Sequence, residues 1–511
     1  MLVAFAVLLS WPVVTVLLFR MLPFRDALIW TIVAGFLFLP SSGQVSVDLP
    51  LLPPLDKWLV PPVSAALVAL ILLTRRTASR RRDQRQGKTD NLSDVVVLKG
   101  WVPRSGVALL LFVAIGAGIF GTALTNGDPV SSGARSMPSL SLYDAAANLL
   151  VTGVFFLPLL LGRKFLSDDK SHERLLWILF ISALIYTLPA LYEVRMSPQI
   201  NRTVYGFFPH SWIQHIRGGG FRPLVFLDHG LLLGIHFACA LIAGTILFRL
   251  RQSGERLLLA VAILWLLFAL LLSKTLGAFL IALVLMPVAL LLGTRTHLLV
   301  AAVIAGLTLS YPILRGADLI PTDQLVQTAA AIDSDRAGSL QFRFDNEDLL
   351  LGRANERPVF GWGWWARSRI FNDRGEDDVV TDGSWIIIIG QTGWFGYIGQ
   401  FGLLTIPIML FFLRRKRYKV TLVTSGLCLV LAANLIDLLP NSSLVPVLYL
   451  TAGALLGRLE QTKSAAADEA DAHPASDSPE VSRVAPAQAA VEADLQHTRY
   501  SRFRVRKREA G

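Results

Sequence analysis

Apolar runs long enough to form membrane-crossing helices recur through almost the whole sequence, and the charged residues are gathered into the stretches between them. Roughly 20 mostly apolar residues in a helix cover the hydrocarbon core of a bilayer. Of the 511 residues, 17% are charged and 53% hydrophobic, against about 25% charged in a globular domain. Soluble enzymes, nucleic-acid-binding modules and secreted disulfide scaffolds are excluded on this ground. The net charge of +11 would suggest nucleic acid in a soluble chain; here it reflects Lys and Arg collected in cytoplasmic loops. The two cysteines, Cys239 and Cys428, sit inside apolar runs and define neither a disulfide framework nor a metal site.

The expected fold is an all-α polytopic membrane protein with about 13 transmembrane helices, roughly 12–14. The spans are read at 3–19, 26–40, 58–74, 105–125, 144–162, 175–192, 224–248, 257–272, 277–293, 298–313, 394–412, 420–437 and 444–457. Residues 384–393 (SWIIIIGQTG) read as a re-entrant or interfacial piece leading into the eleventh span. One alternate set of loops is dense in base: Arg20 and Arg25; the run 75–88; Arg163, Lys164, Lys170 and Arg174; Arg249, Arg251 and Arg256; and RRKRYK at 414–419. The positive-inside bias places these in the cytoplasm, with the N-terminus outside and the C-terminus inside. The first span lacks a basic leading region and a small-residue cleavage site, so it reads as a retained signal anchor. The segment 459–511 is rich in Ala, Asp, Glu, Pro and Ser and ends in a basic cluster; it is expected to be a disordered cytoplasmic tail.

Two outer segments are long, 193–222 and 314–383. Long connections are commonly functional or disordered, and the second carries Phe360, Trp362, Trp364, Trp365 and Phe371 among its charges. Arginines here run against the orientation bias. Arg217 and Arg222 flank Gly218, Gly219, Gly220 and Phe221, and Arg336, Arg343, Arg353 and Arg357 lie in the longer loop. A guanidinium keeps its charge and matches phosphate with a planar fork of donors. Glycines let backbone N–H groups approach a bulky anion. Together they suit a lipid phosphate or diphosphate, although any single arginine could equally fix a loop. Lys274, in the SKTLG turn, is either a further cation at the same anion or a snorkelling lysine. Asp228 and His229 are ionisable residues at the start of an apolar run. Asp382, in TDGSW, could take a proton from an attacking hydroxyl or cap the following helix. No GxxxxGK[ST] element is present, so nothing points to a nucleotide-driven pump. Asp333-Ser334-Asp335 is too common a tripeptide to carry weight, and no His/Glu spacing suggests zinc.

Taken in order, several of these pieces resemble the O-antigen ligase/polymerase superfamily of bacterial envelope glycan assembly. RGGGFRPLVFLDHGLLLG (Arg217 to Gly234) resembles that family's Arg–Gly–Phe element leading into a helix. SKTLGAFL (273–280) resembles its Ser/Thr–Arg–Gly–Ala turn, with Lys274 in place of Arg. SLQFRFDNEDLLLGRANERPVFGWGWW (339–365) supplies a Pro–x–x–Gly–x–Gly element at Pro358, Gly361 and Gly363. TDGSWIIIIGQTGWFG resembles its His-Asn segment, with Asp382 where ligases usually carry His and Gly393 downstream. The fourth residue after Arg343 is Glu347 rather than Leu. Both departures fit a polymerase or a divergent exopolysaccharide member better than a ligase.

The apolar spans set out a bundle over 1–313 with spans 1–10, a large periplasmic loop over 314–393, and spans 11–13 over 394–458; the resemblance covers roughly 200–412. It implies a bacterial inner-membrane glycosyltransferase that polymerises or transfers undecaprenyl-diphosphate-linked oligosaccharide at the periplasmic face, with inversion, no metal and no cofactor. Catalytic roles fall to Asp382, Arg217 and Arg343, and substrate binding to Arg222, Arg353, Lys274, Gly219, Asp228 and His229. The expected partners are the lipid-linked substrate, the membrane and a chain-length regulator or other assembly protein, with no nucleic acid. The alternatives are a ligase that passes finished glycan to an acceptor, and a flippase, which would more usually show two related halves and charges along a central cavity.

Overall fold

The computed structural model describes residues 1–41, 43–48, 53–83, 94–217, 219–331 and 334–472, without the side chains of 77–83, 335–336 and 462–472. About 71% of the described residues are helix. Among the described residues strand is confined to two short hairpins: β1 (Val130–Ser132) with β2 (Arg135–Met137), and β3 (Ile216–Arg217) with β4 (Gly220–Phe221). The first compact unit is Met1–Ala465. Of the second, Ala466–Gly511, only 466–472 are described, and they are helical. The helix over 459–472 replaces the start of the expected disordered tail; its remainder, 473–511, lies outside the described residues.

The helices run in chain order. They are α1 (Leu2–Met21), α2 (Phe24–Phe38), α3 (Val60–Asp83), α4 (Gly106–Thr125), α5 (Leu142–Phe155), α6 (Leu157–Phe165), α7 (Asp169–Met196), α8 (Ile200–Tyr205) and α9 (Gly230–Leu250). Next come α10 (Ser253–Leu272), α11 (Leu276–Leu291), α12 (Thr294–Gly316), α13 (Thr322–Ala330), α14 (Ser334–Asn355), α15 (Ser384–Leu413), α16 (Arg415–Tyr418), α17 (Leu422–Asp437) and α18 (Pro446–Ala472). Each expected span overlaps helix, although 224–229, the start of the seventh, are loop, turn and bend ahead of α9. Among the described residues eight helices, counting α5 with α6 as one, are long and apolar enough to cross a membrane, and α11 and α17 are shorter apolar helices. The chain therefore has the build of an all-α multi-pass membrane protein. Lone helices in water do not present rows such as Leu257, Leu258, Val261, Leu264, Trp265 and Phe268, all exposed on α10; an apolar surface of that kind calls for lipid.

Local chemistry sets several boundaries. The break between α5 and α6 falls at Phe156, two residues before Pro158, because proline cannot donate to the preceding turn. Ser141 and Asp144 form a reciprocal capping box at the start of α5, and the Asp168 side chain accepts Ser171 N–H at the start of α7. α9 is buried on all sides, packed by α7, α10, α11 and α17, which fits its lack of a polar face.

Two loop sets lie at opposite ends of this frame, as the course of α7 and α9 shows. The base-rich set is knitted by ion pairs: Arg25–Asp168 (2.7 Å), Arg174–Asp26 (2.5 Å), Arg251–Glu173 (2.7 Å) and Arg458–Asp169 (3.1 Å). Arg163, fully buried, meets Glu460 at 2.6 Å, and Glu460 also accepts the N–H groups of Arg104 and Ser105. At the other end the α-amino group of Met1 donates to Tyr205 O.

The eleventh expected span begins earlier than its apolar run suggested. Residues 384–392 are helix, continuous with 394–413 across a break at Gly393 (φ 62°, ψ −162°). The break is filled by the 358–363 loop. Gly390 O and Gln391 O accept from the Trp362 and Gly363 N–H groups (both 2.8 Å), while the Trp394 and Phe395 N–H groups donate to Pro358 O and Val359 O. The backbone groups that a broken helix leaves orphaned are thus satisfied by this loop, which gives Pro358, Gly361 and Gly363 a structural task.

Candidate anion site at one end of the bundle

The site is organised by Glu193, near the end of α7. Its carboxylate accepts the N–H groups of Ile200, Leu224 and Val225 at 2.7–2.9 Å, pinning both ends of the 200–225 segment. Between them the Arg-Gly-Gly-Gly-Phe element forms the β3–β4 hairpin, pairing Ile216 with Phe221 and Arg217 with Gly220. Gly219 turns it with φ +70°, a left-handed conformation glycine adopts at little cost. Gly218 lies outside the described residues.

Lys274 sits in the break between α10 and α11 and donates to Arg217 O at 2.8 Å. A side chain at position 220 would begin 2.5 Å from the Lys274 Nζ, so glycine there lets the lysine take this position. Arg222 is 9% exposed. One of its terminal nitrogens reaches Lys274 O at 3.4 Å, and its buried Nε has no partner. Arg343 comes in from α14, donating to Pro440 O (3.3 Å) and lying 3.5 Å from an Asp382 carboxylate oxygen. Burial, and then the charges of Arg217 and Arg343, push the Arg222 guanidinium down to about 10. It stays charged at neutral pH, so three guanidinium groups act on one another here. Asp437, at the end of α17, accepts from Asn441 and Ser443 and lies within the influence of Arg343.

Three histidines complete the group. Ring nitrogens of His210, His215 and His229 lie within 4.8 Å of one another, a spacing that raises the question of a metal. The tautomers answer it. Nδ1 of His210 accepts the Ser211 N–H and Nδ1 of His229 accepts the Leu231 N–H, so in each neutral ring the proton is on Nε2. His215 is the reverse: its Nδ1 faces Arg222 O at 3.2 Å and must donate, which leaves a lone pair on a buried, unpartnered Nε2. Two N–H donors, one acceptor and adjacent arginines suit an anion better than a cation. Burial, then the charges around it, pushes His229 down to about 3. Burial, partly offset by the Arg222 carbonyl, pushes His215 down to about 4.

These shifts have a measurable consequence. Histidine ordinarily titrates near 6.5, so between about 6.5 and 4 the unfolded chain holds protons that the folded chain lacks. Folding stability is fully present above that window and falls as pH drops through it. Asp56, pushed up to about 6 by burial, acts in the opposite sense, so the comparison must be between variants. Melting temperature is expected to fall more steeply from pH 6.5 to 4 in the wild type than in a His215→Gln, His229→Gln double variant. Parallel profiles would show that the rings are not held neutral.

Of the residues expected from the sequence, Arg217, Arg222, Lys274, Arg343, Asp382, Gly219 and His229 are brought together. Arg353 is set apart: its guanidinium lies 3.4 Å from the Trp362 ring centre and pairs with Glu356 at 2.9 Å. Arg357 also stacks on Trp362, at 4.3 Å. Asp228 lies 3.4 Å from the fully buried Lys57 and balances that charge. The Arg336 side chain, and Asp333 with the side chain of Asp335, lie outside the described residues. His210, His215 and Asp437 were not singled out from the sequence; the visible signals were the HSWIQH segment and a carboxylate closing an apolar run. No known family model matches the chain, and no curated protein matches it.

Proposed function

We propose that this chain is a bacterial inner-membrane glycosyltransferase acting on a polyprenyl-diphosphate-linked oligosaccharide at the outer, periplasmic face. In this reading the chain crosses the membrane about thirteen times, with the N-terminus outside and the C-terminus inside, and it elongates O-antigen or exopolysaccharide. One observation supports it above the others. Arg222 is buried among Arg217, Arg343 and Lys274 with an unpartnered Nε, and Asp382 is the carboxylate that ion-pairs with this group. A buried guanidinium with other cations beside it is costly unless an anion shares the charge.

In the reaction the acceptor hydroxyl oxygen bonds to the anomeric carbon as the carbon–oxygen bond to the diphosphate breaks, with inversion. The bonding electrons pass to the diphosphate oxygen, where the arginines and the His210 and His229 N–H groups stabilise them. The hydroxyl proton goes to a base. Asp382 is held by Arg343, whereas His215 Nε2 keeps an open lone pair; either can receive it, and His215→Gln against Asp382→Asn separates them by the larger loss of rate. The energy comes from the sugar–diphosphate bond, so no nucleotide is required.

Deleting the chain tests the reading. Loss of long polymer, with single lipid-linked units still presented outside, is the expected result. Finished polymer left unattached to its acceptor would instead indicate a ligase, and units trapped on the inner leaflet a flippase.

A further inference from the structure

The loop that fills the α15 break carries a second built surface. Arg367, fully buried, donates to the carbonyls of Trp362, Asp128 and Pro138 and to the Asn126 side chain. It binds the loop to the segment bearing the β1–β2 hairpin. The hairpin tip is fastened in turn: Ala134 N–H donates to Asn372 O, Phe371 N–H donates to the Ser132 hydroxyl, and the Arg135 guanidinium lies 4.7 Å from the Phe371 ring centre. On this base Trp365 and Ala366 both adopt left-handed backbone conformations, φ 58° and 63°. Such conformations are uncommon for residues other than glycine, and strain of this kind gathers at ligand sites.

What the strain does is present an indole. Trp365 is 61% exposed, with its Nε1 donating to Asp144, and it forms one wall of an open groove of about 600 Å³. The rest of the lining includes Arg135, Ser136, Ser368, Arg369 and Gln391. An open groove with one large flat aromatic face and a rim of donors and acceptors does not suit an acyl chain. It suits a ring with apolar C–H faces and a hydroxylated edge, and the indole offers the flat amphipathic surface for it. Arg369 is paired with Asp377 at 3.1 Å, while Arg135 pairs with no carboxylate among the described residues, which favours a ligand bearing carboxylates.

We propose that this groove is a saccharide-binding site for an acidic oligosaccharide, with Trp365 as its stacking platform and Arg135 as its carboxylate partner. Gln391 lies on the same helical segment that begins two residues after Asp382. From Ser384 to Gln391 that helix rises about 10 Å, a separation a short run of sugar rings can bridge. That the bound saccharide is the acceptor chain rests on the function proposed above; that the groove binds saccharide does not.

The test uses the full chain in lipid nanodiscs, with an oligogalacturonate and a malto-oligosaccharide of equal length as probes and calorimetry as readout. The acidic probe is expected to bind more tightly than the neutral one. Trp365→Ala should weaken it at least tenfold, Trp365→Tyr should retain most of the affinity, and Arg135→Gln should remove the preference for the acidic probe. Melting temperatures of the variants report folding separately. Arg222→Ala should leave this binding intact while abolishing pyrophosphate binding, so a failure of the groove and a failure of the anion site give different patterns. No binding of either probe by the wild type would overturn the proposal, as would equal affinity in Trp365→Ala. Quenching of Trp365 fluorescence by brominated lipid but not by saccharide would also overturn it, marking the indole as a membrane anchor.

Discussion

On the function proposed above, Arg222→Ala is expected to lower glycosyl transfer by about 100-fold or more, the usual scale for removing a charged donor aimed at a developing anion. Arg222 is the strongest choice because its guanidinium is buried and its Nε is unengaged. A donor that protein groups do not already satisfy contributes most when the ligand arrives. Arg217→Ala and Arg343→Ala should act in the same direction. Arg343 loses more than one function, since it also holds Asp382 at 3.5 Å. Arg353→Ala is the comparison: stacked on Trp362 and paired with Glu356, it should affect stability before chemistry. Polymer length in cells, alongside protein level in the membrane, is the measurement. Wild-type polymer from the Arg217, Arg222 and Arg343 variants at normal expression would remove these residues from the reaction.

The largest stability effect should come from Gly393→Ala. Gly393, at φ 62° and ψ −162°, occupies a region open essentially to glycine alone, and entry by another residue costs on the order of 1–3 kcal/mol. Its Cβ would also run into Val359 O, adding roughly 1–3 kcal/mol of overpacking. Gly361→Ala meets the same interface from the other side, 2.6 Å from Gln391 O. Gly352→Ala is the control, because its Cβ would meet nothing within 4 Å on helix α14; it should be neutral or stabilising by about 1 kcal/mol. Thermal melts in detergent decide the matter. An unchanged midpoint for Gly393→Ala would mean that the loop is not seated on the break.

Much of the frame was legible because membrane helices announce themselves by length and apolarity. The alternation of charge between loops was legible too, and the base-rich loops do meet one another in ion pairs. What the sequence could not show was tertiary. SWIIIIGQTG reads as a re-entrant or interfacial piece because nothing local reveals that Pro358–Gly363 will satisfy the backbone of a broken helix. Arg353 resembles its neighbours in composition and differs only in having Trp362 beneath it. His215 and His229, 14 positions apart, meet because Glu193 holds the intervening segment from a third place in the chain. The direction in which each imidazole carries its proton likewise follows from which backbone group happens to face it.

The contact between Gly220 and Lys274 also bears on how this protein can drift over evolutionary time. With 2.5 Å between the place of a first side-chain carbon and the lysine ammonium, a larger residue 220 would push that ammonium off the Arg217 carbonyl it now meets. Descendants that enlarge residue 220 can keep the lysine, but with its ammonium swung to a new position. A change at either of these sites, 54 residues apart, should therefore alter the contact the other makes rather than forbid it.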